Sequence, residues 1–393
     1  MSEKVRLGII GIGNMGSEHC RSFLNGKLPQ IEIVAVADRR ESRRNWAKEK
    51  LPESTAIFTE GEELVASGLC EAVLIATPHY QHPILAVSAF RHGLHVLSEK
   101  PIGVYTLNVR EEIREAEKSG KTFALMFNQR TNCVYRKLRE MIMSGELGKV
   151  KRVNWTITDW YRTQCYYDSG SWRATWAGEG GGALLNQCPH QLDLLQWLFG
   201  LPTKVQAFCH IGKWHNIEVE DDVTAYLEFP GGATGVFITS TGDLPGVNRL
   251  EVTFECGRII CDGASLKLYR IPSNEREICF SSKEAFVNIE PIFEEIETDG
   301  KNEQHAGVLN AFAAHILQGK PLIAEGREGI NSLLLSNAMY LSAWTGSAVS
   351  VPFDEEQFKV LLDERRAASV HKADVDVTFN TDHSFGGRIV PEA

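Results

Sequence analysis

Residues 11–16 of this 393-residue chain read Gly-Ile-Gly-Asn-Met-Gly, a spacing that suits a phosphate. The motif follows the β-branched run 5–10 and leads into a helical pattern through Cys20, Phe23 and Leu24. Strand, tight glycine turn and helix start together seat a pyrophosphate on the free N–H groups of the first helical turn. Gly11 permits the sharp turn, Gly13 has no Cβ to block the phosphates, and Gly16 lets helix and strand approach, with Ile12, Asn14 and Met15 completing the loop. A second apolar strand, 31–37, ends in Asp38, where a carboxylate accepts from the adenosine ribose. This order of features predicts a dinucleotide site.

Other residues suit proton transfer and sugar binding. Lys100, within Glu99-Lys100-Pro101, stands at the C-terminal end of a predicted parallel strand, the edge where ligands of open α/β sheets bind. An ammonium there can hydrogen-bond a substrate oxygen and stabilise developing alkoxide charge. His190 falls near the start of a predicted helix, and imidazole takes up a proton near neutral pH. Tyr161, Arg162, Trp172, Arg173 and Trp176 make a dense aromatic and guanidinium run. Rings and arginine forks suit sugars with hydroxyl or acidic substituents. No carboxylate or cysteine cluster makes His79 and His82 a metal pair, and no metal is expected. The irregular set His210, His215, Glu218, Glu220, Asp221 and Asp222 reads as a solvated turn leading into a strand.

Two kinds of sheet are needed to position these groups. Up to about residue 127, apolar runs at 5–10, 31–37, 56–58, 72–76, 95–98 and 122–126 alternate with helical patterns. That alternation predicts a doubly wound parallel sheet of α/β class, a Rossmann domain over 1–127. From 128 to 370 the pattern changes to α+β. Strand candidates at 150–157, 203–211, 222–229, 233–241, 248–255, 258–262 and 265–270 follow one another with few helices between, which predicts a large open mixed or antiparallel sheet. Helices are expected at about 134–144, 185–199, 303–317 and 327–345, and 371–393 reads as a polar tail. Too few helices remain to cover both faces of the second sheet, so a homodimer or homotetramer built on it is expected.

Composition narrows the classes. Hydrophobic content of 43% and charged content of 23% are ordinary for a globular protein, and the net charge of −10 argues against nucleic-acid binding. No apolar stretch approaches the roughly 18 residues of a membrane span, and no signal peptide is expected ahead of the first strand. The nine cysteines are scattered without a CxxC pair, as expected in a reducing cytoplasm.

The glycine motif, Glu99-Lys100-Pro101 and the run from Gly180-Gly181-Gly182 through Asn186 and His190 to Asp193 together resemble the Gfo/Idh/MocA family, the glucose–fructose oxidoreductase and inositol dehydrogenase relatives. The resemblance implies nicotinamide-dependent oxidation or reduction of a sugar, glycoside or polyol. Such oxidation removes a hydride and also the hydroxyl proton. It makes His190 the expected acid/base with Lys100 beside it, and a cis bond before Pro101. It also implies that Thr77, Pro78, His79, His82, Glu99 and Lys100 line the dinucleotide, and that Asn128 and Arg130 lie beside nicotinamide and substrate. Many members carry aspartate four residues before the histidine; Asn186 stands here, so His190 is expected to be a weaker base. Asp38 favours NAD by repelling a 2′-phosphate, although Arg39, Arg40 and Arg43 would accommodate NADP. A redox-neutral glycosidase that uses tightly bound NAD is the alternative activity.

Overall fold

The computed structural model describes residues 4–370 and Lys372, so the expected tail, apart from that lysine, lies outside the described residues. The first half alternates as β1 (Val5–Ile10), α1 (Asn14–Leu24), β2 (Ile31–Ala37), α2 (Glu41–Lys50), β3 (Ala56–Phe58), α3 (Gly61–Ala66), β4 (Ala72–Ile75), α4 (Gln81–Arg91), β5 (His95–Ser98), α5 (Thr106–Ser119) and β6 (Phe123–Leu125). These strands form one parallel sheet in the order β3-β2-β1-β4-β5-β6. All four residues of β4 are buried, because helices cover both sheet faces and an apolar run satisfies both. Strand order reverses between β1 and β4, and the loop after β1 therefore opens into the crevice where such sheets bind ligands.

A 3-10 turn, Asn128–Thr131, leads into α6 (Cys133–Ser144) and β7 (Val150–Ile157). The next elements are α7 (Gln164–Asp168), α8 (Pro189–Phe199), β8 (Lys204–Ile211), β9 (Glu220–Glu228), β10 (Thr234–Ser240), β11 (Asn248–Phe254), β12 (Gly257–Asp262) and β13 (Ser265–Arg270). The chain continues through α9 (Glu275–Ser281), β14 (Ile292–Glu295), α10 (Gln304–Gln318), α11 (Gly329–Thr345), β15 (Val349–Ser350) and α12 (Glu355–Ala367). The second sheet has nine strands in the order β14-β13-β12-β11-β7-β10-β9-β8-β15. Its β7–β10 pair is parallel and its other pairs antiparallel, so the sheet is mixed. Along β8, Val205 and Ala207 are buried while Lys204, Gln206 and Phe208 are exposed, the period-2 signature of a sheet covered on one side.

The helix expected from about 185 starts instead at Pro189. Upstream, the Gly182 and Leu184 N–H groups donate to the Glu220 carboxylate at 3.0 and 2.8 Å, and the backbone up to Cys188 forms successive turns rather than a continuous helix. A Cβ on Gly182 would stand 2.0 Å from the Glu220 carbonyl oxygen, so the triple-glycine segment lies directly on β9. The late helix α10 returns to the first domain. Val308, Leu309, Phe312 and Ala313 share a core with Leu7, Ile9 and Ile33 of the parallel sheet.

Candidate active site

One cleft of about 1670 Å³ runs from the glycine loop past Lys100 to the aromatic run of the second domain. At its first end Gly11 has φ +86°, and a Cβ there would lie 2.6 Å from the Ala76 carbonyl oxygen. Gly16 is more confined, with a Cβ position 1.9 Å from the Gly11 carbonyl oxygen, and so acts through packing. Around the Cβ position of Gly13 nothing stands within 4 Å, which leaves the open cradle that a pyrophosphate needs above the first turn of α1. Asn14 and Met15 line the cleft, whereas the Ile12 side chain is in the core and only its N–H serves the loop. Asp38 accepts from Ile12 N and from Arg40 N, both at 2.9 Å, and still faces the cleft with lone pairs to spare. Arg39 turns to Glu60, with Nε donating at 2.8 Å. These residues fit a dinucleotide.

The middle of the cleft collects the titratable groups. Lys100 follows β5, its peptide to Pro101 is cis, and its Nζ donates to the Asn186 carbonyl at 2.7 Å. Burial lowers its pKa from the usual lysine value against the pull of Glu99 and Glu179, and Arg162 and Arg173 lower it further. His190 lies in the first turn of α8 and lines the same cleft, with the Phe127 ring edge-on at 6.3 Å. Burial, then the positive charges of Lys100 and His305, hold it well below the ordinary imidazole value. Its Nδ1 is buried without a hydrogen-bond partner. The imidazole is therefore neutral at pH 7 and able to accept a proton.

Glu99 is tied to α1. Its carboxylate is bonded to His19 Nε2 at 2.7 Å and accepts from Lys100 N at 3.2 Å. Burial opposes its charge, but His19, His305 and Lys100 outweigh burial and hold Glu99 down to about 2. His305, at the start of α10, packs its ring 5.7 Å from that of His19 and lines the cleft, and burial lowers it to about 4. Nothing in the sequence around His19 or His305 signals this cluster, which forms only when α1, β5 and α10 meet.

Asn186 does not bond to His190. Its side-chain amide donates to Glu179, whose other oxygen accepts from Ala174 N at 2.6 Å. Glu179 is buried, which raises its pKa against the effects of Arg173, the Ala174 N–H, Asn186 and Lys100. It thus brings a carboxyl group close to the position where family relatives carry aspartate. Its place directly before the triple glycine was the available sequence signal. His79 Nδ1 is bonded to the Glu179 carbonyl at 2.9 Å, and His82 spans the carbonyls of Pro101 and Thr77 at 2.7 and 2.6 Å. Thr77, Pro78, His79 and His82 all line the cleft, as does Asn128, whose amide donates to Gln304. Among the described residues no group of three or more His, Cys, Asp or Glu is arranged to hold a metal ion.

Two expected substrate residues lie elsewhere. Arg130 is buried and does not line the cleft. Its Nε and Nη2 form a fork on Asp193 at 2.8 and 2.7 Å, and Nη1 reaches Glu328. The pair ties the 3-10 turn to α8 and occupies Asp193, which is thereby unavailable to His190. Trp176 is also in the core, 5.6 Å from the rings of both Tyr340 and Trp344. Trp176→Phe is accordingly expected to lower stability by about 1 to 3 kcal/mol, read from the denaturant midpoint, with sugar KM unchanged.

Tyr161, Arg162, Trp172 and Arg173 do line the cleft. The stretch read as a solvated turn proves to be their support. Glu220 and Asp221 are fully buried. Asp221 accepts from the backbone N–H groups of Lys213, Trp214 and His215 and is bonded to His215 Nδ1. His215 Nε2 reaches the Arg162 carbonyl at 2.9 Å. A run of acids looks solvated in sequence because its partners are backbone N–H groups, which every sequence contains.

Comparison with known proteins agrees with this layout. Residues 5–127 match the GFO/IDH/MocA oxidoreductase family, NAD-binding Rossmann fold, and residues 135–260 match the GFO/IDH/MocA C-terminal domain. Myo-inositol 2-dehydrogenase of Thermotoga maritima is 24% identical over 85% of this chain and 95% of its own. D-glucoside 3-dehydrogenase of Escherichia coli is 26% identical over 89% of this chain and 98% of its own. The WlbA dehydrogenase of Bordetella pertussis, solved with NADH and UDP-GlcNAcA, superposes with a TM-score of 0.74 at 25% identity, covering 90% of this chain and all of that one.

Proposed function

The chain belongs to the GFO/IDH/MocA oxidoreductase family, with an NAD-binding Rossmann domain, and from that premise we propose that its cleft oxidises or reduces a carbinol carbon of a sugar, glycoside or polyol. The observation that carries this reading is that Lys100 and His190 line one cleft with the dinucleotide loop. NAD, when bound, supplies the hydride acceptor. Lys100 spends one of its three N–H donors on the Asn186 carbonyl and keeps two for the substrate oxygen. His190, held neutral, takes the hydroxyl proton in oxidation and returns it in reduction. The name of D-glucoside 3-dehydrogenase supports a glycoside or sugar substrate.

The test is to release any bound nucleotide from the purified protein, add NAD and screen sugars for reduced-nicotinamide absorbance. Sugar-dependent formation of NADH is expected. Release of an aglycone without net reduction would overturn the dehydrogenase reading in favour of redox-neutral glycoside cleavage.

We also assign the open face of the nine-stranded sheet to self-association, as a homodimer or homotetramer. Phe208 is 59% exposed and Tyr226 43% exposed on that face. Pairing places Phe208 opposite Thr224, and Ile238 opposite Thr224 from the other side, so apolar groups run across three strands. Light scattering should give a multiple of the chain mass, and Phe208→Asp should shift the protein toward monomer. A monomeric parent protein would refute the assignment. The described residues include no helix long and apolar enough to cross a membrane, and the free cysteines suit the reducing cytoplasm as its location.

A further inference from the structure

Beyond Lys100, the second-domain side of the cleft presents Arg162 and Arg173. Both guanidinium groups lie against the Tyr166 ring, at 5.1 and 4.6 Å from its centroid, and Arg173 also lies 4.7 Å from the Trp172 ring. Neither forms an ion pair with a carboxylate among the described residues, whereas the fully buried Arg130 is held by two. Among the described residues, Arg173 Nη1 donates to the Tyr166 hydroxyl at 2.8 Å. Arg162 Nη1 donates to the Trp160 and Tyr161 carbonyls at 3.1 Å, and its buried Nε has no partner.

The backbone beneath Arg162 is fixed. Its N–H donates to the Thr241 carbonyl at 2.9 Å, and its carbonyl meets His215, itself anchored by Asp221. The buried acid Glu179, whose pKa Arg173 lowers, gives its hydrogen bonds to Asn186 and the Ala174 N–H. Asp159 lines the cleft on its solvent-exposed rim. On the second-domain side of the cleft, two preorganised guanidinium groups thus stand beyond the Lys100 ammonium in a chain of net charge −10. A pyrophosphate at the glycine loop would lie at the other end. Neutral hydroxyls do not require two guanidinium groups that lack a carboxylate partner, whereas a carboxylate or phosphate matches their geometry.

We propose that the sugar substrate carries an anionic substituent, a carboxylate or a phosphate ester, bound by Arg162 and Arg173 beside Tyr166. This inference rests on the dehydrogenase reading for its reaction, but its binding term is separable. The experiment compares hexuronates, aldonates and hexose phosphates with their neutral parent sugars. One arm measures kcat/KM with NAD; the other measures calorimetric binding to the NADH-loaded protein.

An acidic sugar is expected to be preferred over its neutral parent by roughly 10–100-fold, the scale of a charge-assisted hydrogen bond. Added salt should erode that preference. In Arg173→Gln the ratio of acidic to neutral kcat/KM should fall toward one. Preference for the uronate or aldonate assigns a carboxylate, and preference for the hexose phosphate assigns a phosphate ester. Binding of an acidic sugar without NADH formation from any sugar would support the anion site and count against the dehydrogenase reading. Equal or better use of neutral sugars would overturn the anion site and leave that reading intact.

Discussion

Lys100→Ala is expected to lower sugar-dependent NAD reduction roughly 10²–10³-fold, the usual loss when one donor to a developing oxyanion is removed. The side chain stands at the end of β5, away from the glycine loop, so NAD affinity should stay close to that of the parent protein. Its Nζ is oriented by the Asn186 carbonyl, and alanine leaves that acceptor without this donor. Lys100→Arg should recover little, because a planar fork cannot place a point charge in the same position. Titration of cofactor fluorescence and single-turnover kinetics separate the two effects. Near-normal turnover in a folded, cofactor-loaded variant would remove Lys100 from the mechanism.

His190→Ala is expected to cost about 10²–10⁴-fold, the range for a positioned general base. Its effect should also appear in the pH profile. In the parent protein the neutral imidazole is the active form for oxidation, and its pKa lies well below 6.5 because burial and then the Lys100 and His305 charges disfavour imidazolium. Oxidation should therefore rise with pH through a value below 6.5 and then level off. At alkaline pH the rate should fall again as Lys100 deprotonates, at a value below 10.5, since burial lowers the lysine. In His190→Ala the acid limb should disappear while the alkaline fall remains. An unchanged acid limb would assign it to another group.

The residues legible in the sequence were those whose function is local. The glycine loop, Asp38 and Lys100 act from the ends of strands that apolar runs announce, and the spacing of Gly11, Gly13 and Gly16 states its own geometry. Strand-like runs announced every strand of the parallel sheet and seven of the nine in the mixed sheet. The exceptions have weak burial signals: β14 is exposed along its length and β15 has two residues.

What the sequence concealed depends on distant partners. Arg130 and Arg173 are the same residue type in similarly polar surroundings, yet Arg130 meets Asp193, 63 positions away, and Glu328, 198 positions away. Trp172 and Trp176 are four apart; one ring lines the cleft, and the other is covered by the late helix α11. The Asn186 substitution changes meaning for the same reason. Viewed locally it deletes a charge, but the fold brings Glu179 against it.

The most direct test is a single turnover of NAD-loaded protein with an acceptable sugar deuterated at its carbinol carbons, followed by mass analysis of cofactor and sugar. Deuterium recovered in the reduced nicotinamide, with ketone formed at the same carbon, is the predicted result. A sugar that retains its label with no cofactor reduction, or loses the label to water, would contradict it.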